Sequence, residues 1–178
     1  MKKKFLLLLA FFTWISYSVK AESYKVFFSP ASKCENNLIE QISNCKSSID
    51  AAVYAINNDG IVKALKQAYD RGIKIRILTD KLQAANKNSR VKDLYRYGIN
   101  IKVNSKFKIE HNKFAVFDGK SIVTGSFNWT TPASEKNSEN CLFVFQRNDV
   151  IKEYQKRFDY LWKLNRKYKS DEWFNKRI

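Results

Sequence analysis

The chain of 178 residues fits one domain and carries a formal net charge of +16, from 33 Lys or Arg against 17 Asp or Glu. A hydrophobic fraction of 44% and an aromatic fraction of 15% exclude a disordered chain, because that much apolar surface can offset the entropy lost when a core is ordered. A single His and three Cys, with no Cys-x-x-Cys pair, exclude zinc ribbons, zinc fingers and a His-rich metalloenzyme.

The N-terminus has the pattern of an export signal. Three lysines precede an apolar run over residues 5–15, and small and polar residues follow up to Ala21. This order predicts a secretory signal peptide over residues 1–21 and a single domain over residues 22–178, with an uncleaved membrane anchor through residues 5–15 as the alternative. We therefore expect an exported protein, either periplasmic or secreted.

The positive charge belongs to the domain and not to the signal segment. Residues 1–21 contain four lysines and no acid, so the formal net charge falls only from +16 to +12 when they are removed. Such a charge favours a polyanionic partner, either nucleic acid or an anionic membrane surface. Solubility alone is the simpler explanation of the same charge.

Export permits disulfide bonds, but the three cysteines leave at least one thiol unpaired. They are Cys34, Cys45 and Cys141. A bond between Cys34 and Cys45 requires Cys34 to precede the helix, because the helical rise between them is about 16 Å. The sequence leaves the pairing open, and three buried thiols are an equal alternative.

Strands and helices alternate along the first half of the domain. Short β-prone runs end at turn residues, and between them apolar residues recur at helical spacing. The predicted elements in chain order are strand 24–28, a helix through 38–45, strand 48–56, helix 59–71, strand 73–78, helix 91–97 and strand 99–103. This order predicts an α/β fold with a mixed, largely parallel β-sheet flanked by helices on both faces.

The second half of the chain continues with a hairpin. Two β-prone runs, 113–117 and 121–124, flank an Asp-Gly pair, which is a strong turn signal. A further strand over 141–145 precedes a long helix from residue 150 to about residue 167. The chain has no internal repeat, so a second copy of any site would have to come from another chain.

The chemically active side chains concentrate around this hairpin. His111 and Lys113 lie two residues apart, so on a strand the imidazole and the ammonium point to the same face, which suits a phosphate. Ser126 and Asn128, likewise two residues apart, add a hydroxyl and an amide. Glu139 can accept a hydrogen bond from the second nitrogen of the imidazole.

The motif H-x-K-x4-D beginning at His111, followed by G-S-x-N beginning at Gly125, resembles the HKD signature of the phospholipase D superfamily. The short exported chain has one copy of the signature and also contains the segments F-S-P, Y-x-I and R-G-I-K-I-R. In these features it is similar to the bacterial Nuc-type endonucleases. The resemblance extends over roughly residues 24–164.

This resemblance implies a phospholipase D-like fold, no metal site, no cofactor and a catalytic set of His111, Lys113, Asp118 and Glu139. His111 would be the nucleophile or acid, and Glu139 would orient its imidazole. Asp118 would be a structural member of the signature that ties the hairpin by hydrogen bonds. Three side chains would hold the phosphate oxygens: Lys113, Ser126 and Asn128.

The predicted mechanism requires two chains. Covalent cleavage of a phosphodiester needs a nucleophile and a separate acid for the leaving oxygen, and the chain has one histidine. Two copies of His111 meeting across a two-fold axis would supply both groups. We therefore expect a homodimer that acts as a metal-independent endonuclease on DNA, through a phosphohistidine intermediate, with single-stranded DNA or RNA as further substrates.

Two other functions use the same features. A phospholipase D acting on phospholipid head groups would use the same side chains, with peripheral or N-terminal membrane association, and a non-catalytic DNA-binding or uptake protein would use the same charge. The lipid function favours an apolar loop near the site. The connections here are short, and Lys102, Lys106 and Lys108 predict a basic face on which Phe107 is the one apolar contact. We therefore expect a nuclease.

Overall fold

The computed structural model describes residues 23–31 and 33–177, so the predicted signal peptide lies outside the described residues. The strands in this part of the chain are β1 (Tyr24–Ser29), β2 (Ser48–Val53), β3 (Lys74–Thr79), β4 (Asn100–Val103), β5 (Lys113–Phe117), β6 (Ser121–Gly125) and β7 (Glu139–Phe145). The helices are α1 (Lys33–Asn44), α2 (Asp59–Asp70), α3 (Lys81–Ala85), α4 (Val91–Tyr97), α5 (Thr131–Glu135), α6 (Asn148–Leu164) and α7 (Lys167–Asn175). None of these helices has the length and apolarity that crossing a membrane requires.

The strands form one mixed sheet in the order β1-β7-β6-β5-β2-β3-β4. The predicted α/β class is confirmed, but the expectation of a largely parallel sheet is wrong. Only β2–β3 and β3–β4 are parallel, and the other four neighbouring pairs are antiparallel. A crossover such as α2 allows parallel pairing, whereas the short β5–β6 turn imposes antiparallel pairing. β1 precedes α1 but lies at the far edge beside β7, which its local sequence does not reveal.

Helices cover both faces of the sheet, as predicted. On one face, α1 and α2 bury Leu38 and Leu65 in a large core that includes Ile77 of β3. On the other face, Phe158 of α6 packs in a smaller cluster with Phe114 of β5. α6 contacts β2, β5 and β6. The side chains of β5 are therefore held between two helical layers.

The predicted long helix over 150–167 is broken at Asn165. This residue is fully buried and has an extended backbone. Its amide nitrogen donates to the carbonyl oxygen of Leu161 at 3.0 Å, and its Oδ1 accepts from the backbone amide of Ser105 at 2.8 Å. The break therefore holds the start of the β4–β5 loop, a contact that helical periodicity cannot predict.

The structure decides the cysteine pairing that the sequence leaves open. Cys34, in the first turn of α1, is disulfide-bonded to Cys141 in β7, with the Cα atoms 5.9 Å apart. Cys45 is a buried free thiol. The disulfide bond joins the first helix to the strand that begins beside the candidate site.

Candidate active site

The predicted site residues, apart from Asp118, meet at one edge of the sheet. The register pairs Val53 with Lys113 and Gly125 with Cys141, so β5 and β7 begin at the edge where β2, β3 and β6 end. A cavity of about 340 Å³ opens at this edge. Its walls are His111, Asn112, Lys113, Phe114, Thr124, Gly125, Glu153, Tyr154 and Arg157.

His111 is exposed, but hydrogen bonds hold the backbone on both sides of it. Its ring meets the ring of Tyr54 edge-on, with centroids 4.7 Å apart. The backbone amide of Glu110 donates to Asp80 Oδ2 at 3.1 Å, and the Glu110 carboxylate accepts from the Asn112 amide group at 2.6 Å. The Asn112 carbonyl oxygen accepts from the Tyr54 amide at 2.9 Å. An imidazole on such a backbone can reach a phosphate with little ordering of the loop.

Lys113 is held against the same tyrosine. Its ammonium donates to the carbonyl oxygen of His111 at 2.6 Å and lies 4.9 Å from the centroid of the Tyr54 ring. Burial lowers the pKa of Lys113, and the nearby carboxylates of Glu139 and Glu110 oppose that shift. The ammonium therefore lies within the electrostatic reach of both carboxylates, next to the backbone of the imidazole.

Ser126 follows a turn that requires glycine. Gly125 has φ +146°, and a Cβ there would collide with the carbonyl oxygen of Asn140. Ser126 Oγ donates to Glu139 Oε2 at 2.5 Å and accepts from the backbone amide of Asn140 at 3.1 Å. The end of β6 is thus fixed against the start of β7.

Glu139 lies in the site, but its hydrogen bonds differ from those expected. One carboxylate oxygen accepts from Ser126, and the other accepts from Asn137 Nδ2 at 3.0 Å. Within the described chain, no hydrogen bond joins Glu139 to the His111 imidazole, so the orienting role of Glu139 stays a prediction.

Asn128 follows Phe127 on a segment whose backbone is held in place, and its side chain is incompletely bonded. The next residue, Trp129, is buried, its amide donates to Ala55 at 3.2 Å, and its carbonyl oxygen accepts from the Asn57 amide at 2.9 Å. Asn128 Oδ1 is buried and has no hydrogen-bond partner among the described residues. A buried polar group without a partner is uncommon. Because Oδ1 is an acceptor, a phosphate oxygen could bind only the Nδ2 donor of this amide.

Asp118 does not lie in the site. It follows the other end of β5, roughly 20 Å from the imidazole by strand rise. Its carboxylate accepts from the backbone amides of Lys46, Ser47 and Ser48, from the Ser47 hydroxyl and from the Cys45 thiol. Burial opposes ionisation, but these donors keep the pKa of Asp118 below its ordinary value. Asp118 is therefore separated from the other members of the predicted catalytic set, and its hydrogen bonds agree with the structural role expected at the hairpin.

One of the three lysines predicted to form a basic face, Lys102, does not belong to it. Lys102 is buried, and its ammonium donates to the carbonyl oxygen of Trp162 at 2.8 Å, so it holds α6 against β4. Burial lowers the pKa of Lys102. Lys106 and Lys108 are exposed, as predicted. Lys102 lies within β4, so its side chain is buried or exposed according to which face of the sheet α6 covers.

Sequence analysis missed four contributors to the site. Tyr54 contacts both the imidazole and the ammonium, and Glu153, Tyr154 and Arg157 bring α6 to the cavity wall. Tyr154 shares a helical face with the buried Phe158, and Arg157 lies one turn after Tyr154 on the same side of the helix. That signal becomes meaningful only once α6 is known to cover β5 and β6.

The mixed sheet and the edge site define a phospholipase D-like domain. A family model described as "Cardiolipin synthase, PLD-like domain" matches residues 38–162. The chain therefore belongs to the phospholipase D superfamily, a group of phosphodiester hydrolases, and the resemblance detected in the sequence is confirmed.

Curated relatives include phospholipases and lipid hydrolases. The chain is 33% identical over 120 residues to the phospholipase D of Rickettsia prowazekii, and 30% identical over 129 residues to the mitochondrial cardiolipin hydrolase of Chlamydomonas reinhardtii. These matches cover 67% and 72% of this chain. They span 58% and 57% of the two relatives, which are longer proteins.

Two solved structures match more of their own length. Nuc from Salmonella typhimurium, described as a phospholipase D family member, superimposes with a TM-score of 0.77 at 28% identity, over 81% of this chain and 96% of Nuc. NucT from Helicobacter pylori gives 0.74 at 26% identity, over 80% of this chain and 96% of NucT. The fold is thus shared with these two proteins over nearly their whole length.

Proposed function

We propose that this protein is a Nuc-type endonuclease that hydrolyses phosphodiester bonds of DNA. The observation that carries the proposal is the exposed His111 imidazole in a cavity that Lys113 and Gly125 also line, with the Lys113 ammonium bonded to the His111 backbone. The coverage of Nuc and NucT, 96% of each, supports this type over the longer phospholipases. The net charge of +12 on the chain after residue 21 supports a polyanionic substrate.

The proposed chemistry has two steps. An imidazole nitrogen of His111 attacks phosphorus, the bond to the leaving alkoxide breaks, and the partner's His111 gives its proton to that alkoxide. The partner's His111 then takes a proton from a water molecule, the water oxygen attacks phosphorus, and the bond between phosphorus and nitrogen breaks. Lys113, Ser126 and Asn128 would stabilise the charge on the phosphate oxygens. The Ser126 hydroxyl must turn for this, because it donates to Glu139 in the free protein.

An uncovered apolar stripe on β1 supports the proposed homodimer. The stripe consists of Tyr24, Val26 and Phe28, which are 62%, 47% and 63% exposed on an edge strand. Val26 pairs with Leu142, which packs on the same cluster as α6, so the stripe lies on the α6 face of the sheet. Phe28 pairs with Asn140 beside the site. A second copy covering this stripe would therefore lie next to the first active site.

Phospholipid hydrolysis is the second candidate function. Ile109, which sequence analysis did not count, is 48% exposed and lies with the 43% exposed Phe107 on a lysine-containing loop beside the site. Two exposed apolar side chains, each next to a lysine, are suited to an anionic bilayer surface. The names of the curated relatives agree with this candidate.

The decisive experiment offers the purified protein single-stranded DNA, duplex DNA, RNA, and vesicles of phosphatidylcholine or cardiolipin. We expect nucleic acid to be cleaved with the highest kcat/KM. Faster hydrolysis of either lipid would replace the nuclease by the phospholipase. Tight binding of DNA with no hydrolysis of any substrate would indicate the non-catalytic DNA-binding protein.

We also propose that the protein is exported to the periplasm or secreted. The disulfide bond between Cys34 and Cys141 supports this, because disulfide bonds persist mainly in oxidising compartments. Expression of the full chain in bacteria, followed by fractionation and N-terminal sequencing, should give a mature protein that begins at residue 22. An intact leader in the membrane fraction would indicate the anchor instead, and an intact leader in the cytoplasm would exclude export.

A further inference from the structure

Three residues of α6 line the catalytic cavity, and one of them is electrostatically free. The Tyr154 hydroxyl donates to Thr124 Oγ1 at 3.2 Å, and the Glu153 carboxylate pairs with Lys156 at 2.7 Å. Arg157 forms no salt bridge with an acidic side chain of residues 23–31 or 33–177. Its positive charge is therefore available to an anion that enters the cavity.

The Arg157 guanidinium lies near two exposed aromatic rings. Its central carbon is 6.0 Å from the centroid of Phe107 and 5.4 Å from the centroid of Tyr160. The two rings are 43% and 52% exposed. Contact with the rings restricts the guanidinium without neutralising it, and each ring still offers area for stacking.

The loop that carries Phe107 is held in place by hydrogen bonds. Asn104 Oδ1 accepts from the backbone amides of Lys106 and Phe107, both at 3.1 Å, and Asn104 Nδ2 donates to the carbonyl oxygen of Phe107 at 2.8 Å. The Ser105 amide donates to the buried Asn165 at 2.8 Å. The Phe107 ring is therefore exposed to solvent on a backbone that is held in place. An exposed apolar side chain on a fixed backbone is typical of a contact surface for a ligand.

We propose that Arg157 and Phe107 form a subsite for an unpaired nucleotide next to the scissile phosphate. The guanidinium binds the neighbouring phosphodiester, and the phenyl ring stacks on the base. This inference rests on the proposed nuclease function and adds a preference for single-stranded nucleic acid. In a duplex the bases are stacked on one another and cannot cover the Phe107 ring, whereas an unpaired base can.

The test separates this subsite from the chemistry by using two substrates. Bis-p-nitrophenyl phosphate has no neighbouring nucleotide, so its hydrolysis depends on the residues of the cavity alone. We expect Arg157→Gln and Phe107→Ala each to raise KM for a single-stranded oligonucleotide about tenfold. Phe107 does not line the cavity, so Phe107→Ala should leave kcat/KM for the small diester within about twofold of the wild type. Arg157 lines the cavity, so Arg157→Gln should lower kcat/KM for the small diester, but by less than it lowers kcat/KM for the oligonucleotide. Phe107→Ala should also reduce the preference for single strands over duplex.

Lys163→Gln is the matched control, because it removes one positive charge from an exposed residue of α6 outside the cavity. If Lys163→Gln raised KM for the oligonucleotide as much as Arg157→Gln does, Arg157 would act only through the overall positive charge of the protein. A loss of kcat/KM for the small diester as large as the loss for the oligonucleotide, with Arg157→Gln or Phe107→Ala, would reduce those residues to structural support. Either result overturns the subsite.

The binding of a fluorescent single-stranded oligonucleotide is measured separately, on a His111→Ala background. About tenfold weaker binding with Arg157→Gln supports the subsite, and unchanged binding overturns it, whether or not the wild type cleaves DNA. Failure of the nuclease proposal is a different result, namely wild-type hydrolysis of lipid in preference to nucleic acid. Arg157→Gln and Phe107→Ala variants that change only vesicle hydrolysis would assign the same surface to a membrane.

Discussion

The two ends of β5 place two members of one sequence signature in opposite environments. At the hairpin end, the Asp118 carboxylate accepts hydrogen bonds from three backbone amides, a hydroxyl and a thiol. At the other end, the His111 imidazole is exposed at a cavity, and the buried Asn128 Oδ1 has no partner among the described residues. A carboxylate with this many donors stabilises a fold, whereas an exposed imidazole at a cavity is free to contact a ligand. The two ends of β5 therefore agree with a structural role for Asp118 and with the catalytic role proposed for His111.

The largest expected effect comes from removing the His111 imidazole at the cavity end of β5. His111→Ala takes away the proposed nucleophile and acid together, so kcat for DNA cleavage should fall at least about 1,000-fold. The free energy of unfolding should change by less than about 0.5 kcal/mol, because the ring is exposed. Single-turnover cleavage and urea unfolding of the same preparation measure both quantities. Near wild-type cleavage by this variant would contradict the covalent mechanism.

The second prediction tests whether the active site at the His111 end of β5 needs another copy of the chain. Val26→Glu places a charge in the apolar stripe and should weaken the dimer, so specific activity at low concentration should fall by about tenfold or more. Lys25→Glu puts a carboxylate on the other face of the same strand and should leave the dimer intact. Light scattering at the assay concentration gives the oligomeric state. A fully active monomer would refute the shared site.

The third prediction concerns the hairpin end of β5, where Asp118 accepts its hydrogen bonds. Asp118→Asn removes the charge and leaves amide donors facing a group that cannot accept from all of them, so the free energy of unfolding should fall by about 2–3 kcal/mol. The folded fraction should keep its kcat, because Asp118 lies far from the cavity. Urea unfolding, with activity measured on the folded protein, tests this prediction. A large loss of kcat without a loss of stability would return Asp118 to the catalytic set.

The same carboxylate predicts a direction of pH dependence. The pKa of Asp118 is lower in the folded protein than the ordinary value of about 3.9, so its stabilising contribution is present above that pH and is lost as the pH falls below it. The free energy of unfolding of the wild type should therefore decrease below about pH 4. The decrease should be smaller in Asp118→Asn. Parallel curves for the two proteins would show that other groups control acid unfolding.

The smallest expected effect is that of chelation. In the proposed mechanism, the positive potential and the hydrogen bonds that a metal ion provides in other hydrolases come from Lys113, Ser126 and Asn128. EDTA should therefore leave the rate of DNA cleavage within about twofold of the untreated enzyme. Complete loss of activity, restored by Mg²⁺ or Ca²⁺, would exclude the histidine mechanism.

Local sequence was sufficient to locate most helices and strands and the His111–Lys113 pair of the candidate site. Apolar spacing predicted α2, with its N-cap at Asn58, and α4, which ends at Gly98 in a left-handed conformation. The Asp-Gly turn predicted the β5–β6 hairpin. His111 and Lys113 could be paired from sequence because a spacing of two residues at the start of a strand determines that they share a face. These features depend on neighbours within a few residues.

Tertiary structure decided the features that depend on distant partners. The antiparallel position of β1 beside β7, the Cys34–Cys141 bond and the burial of Lys102 all join segments at least 60 residues apart. The approach of Arg157 to the cavity depends likewise on which strands α6 covers. A periodic pattern specifies which face of an element is apolar, but the packing of the whole chain selects which other element covers that face.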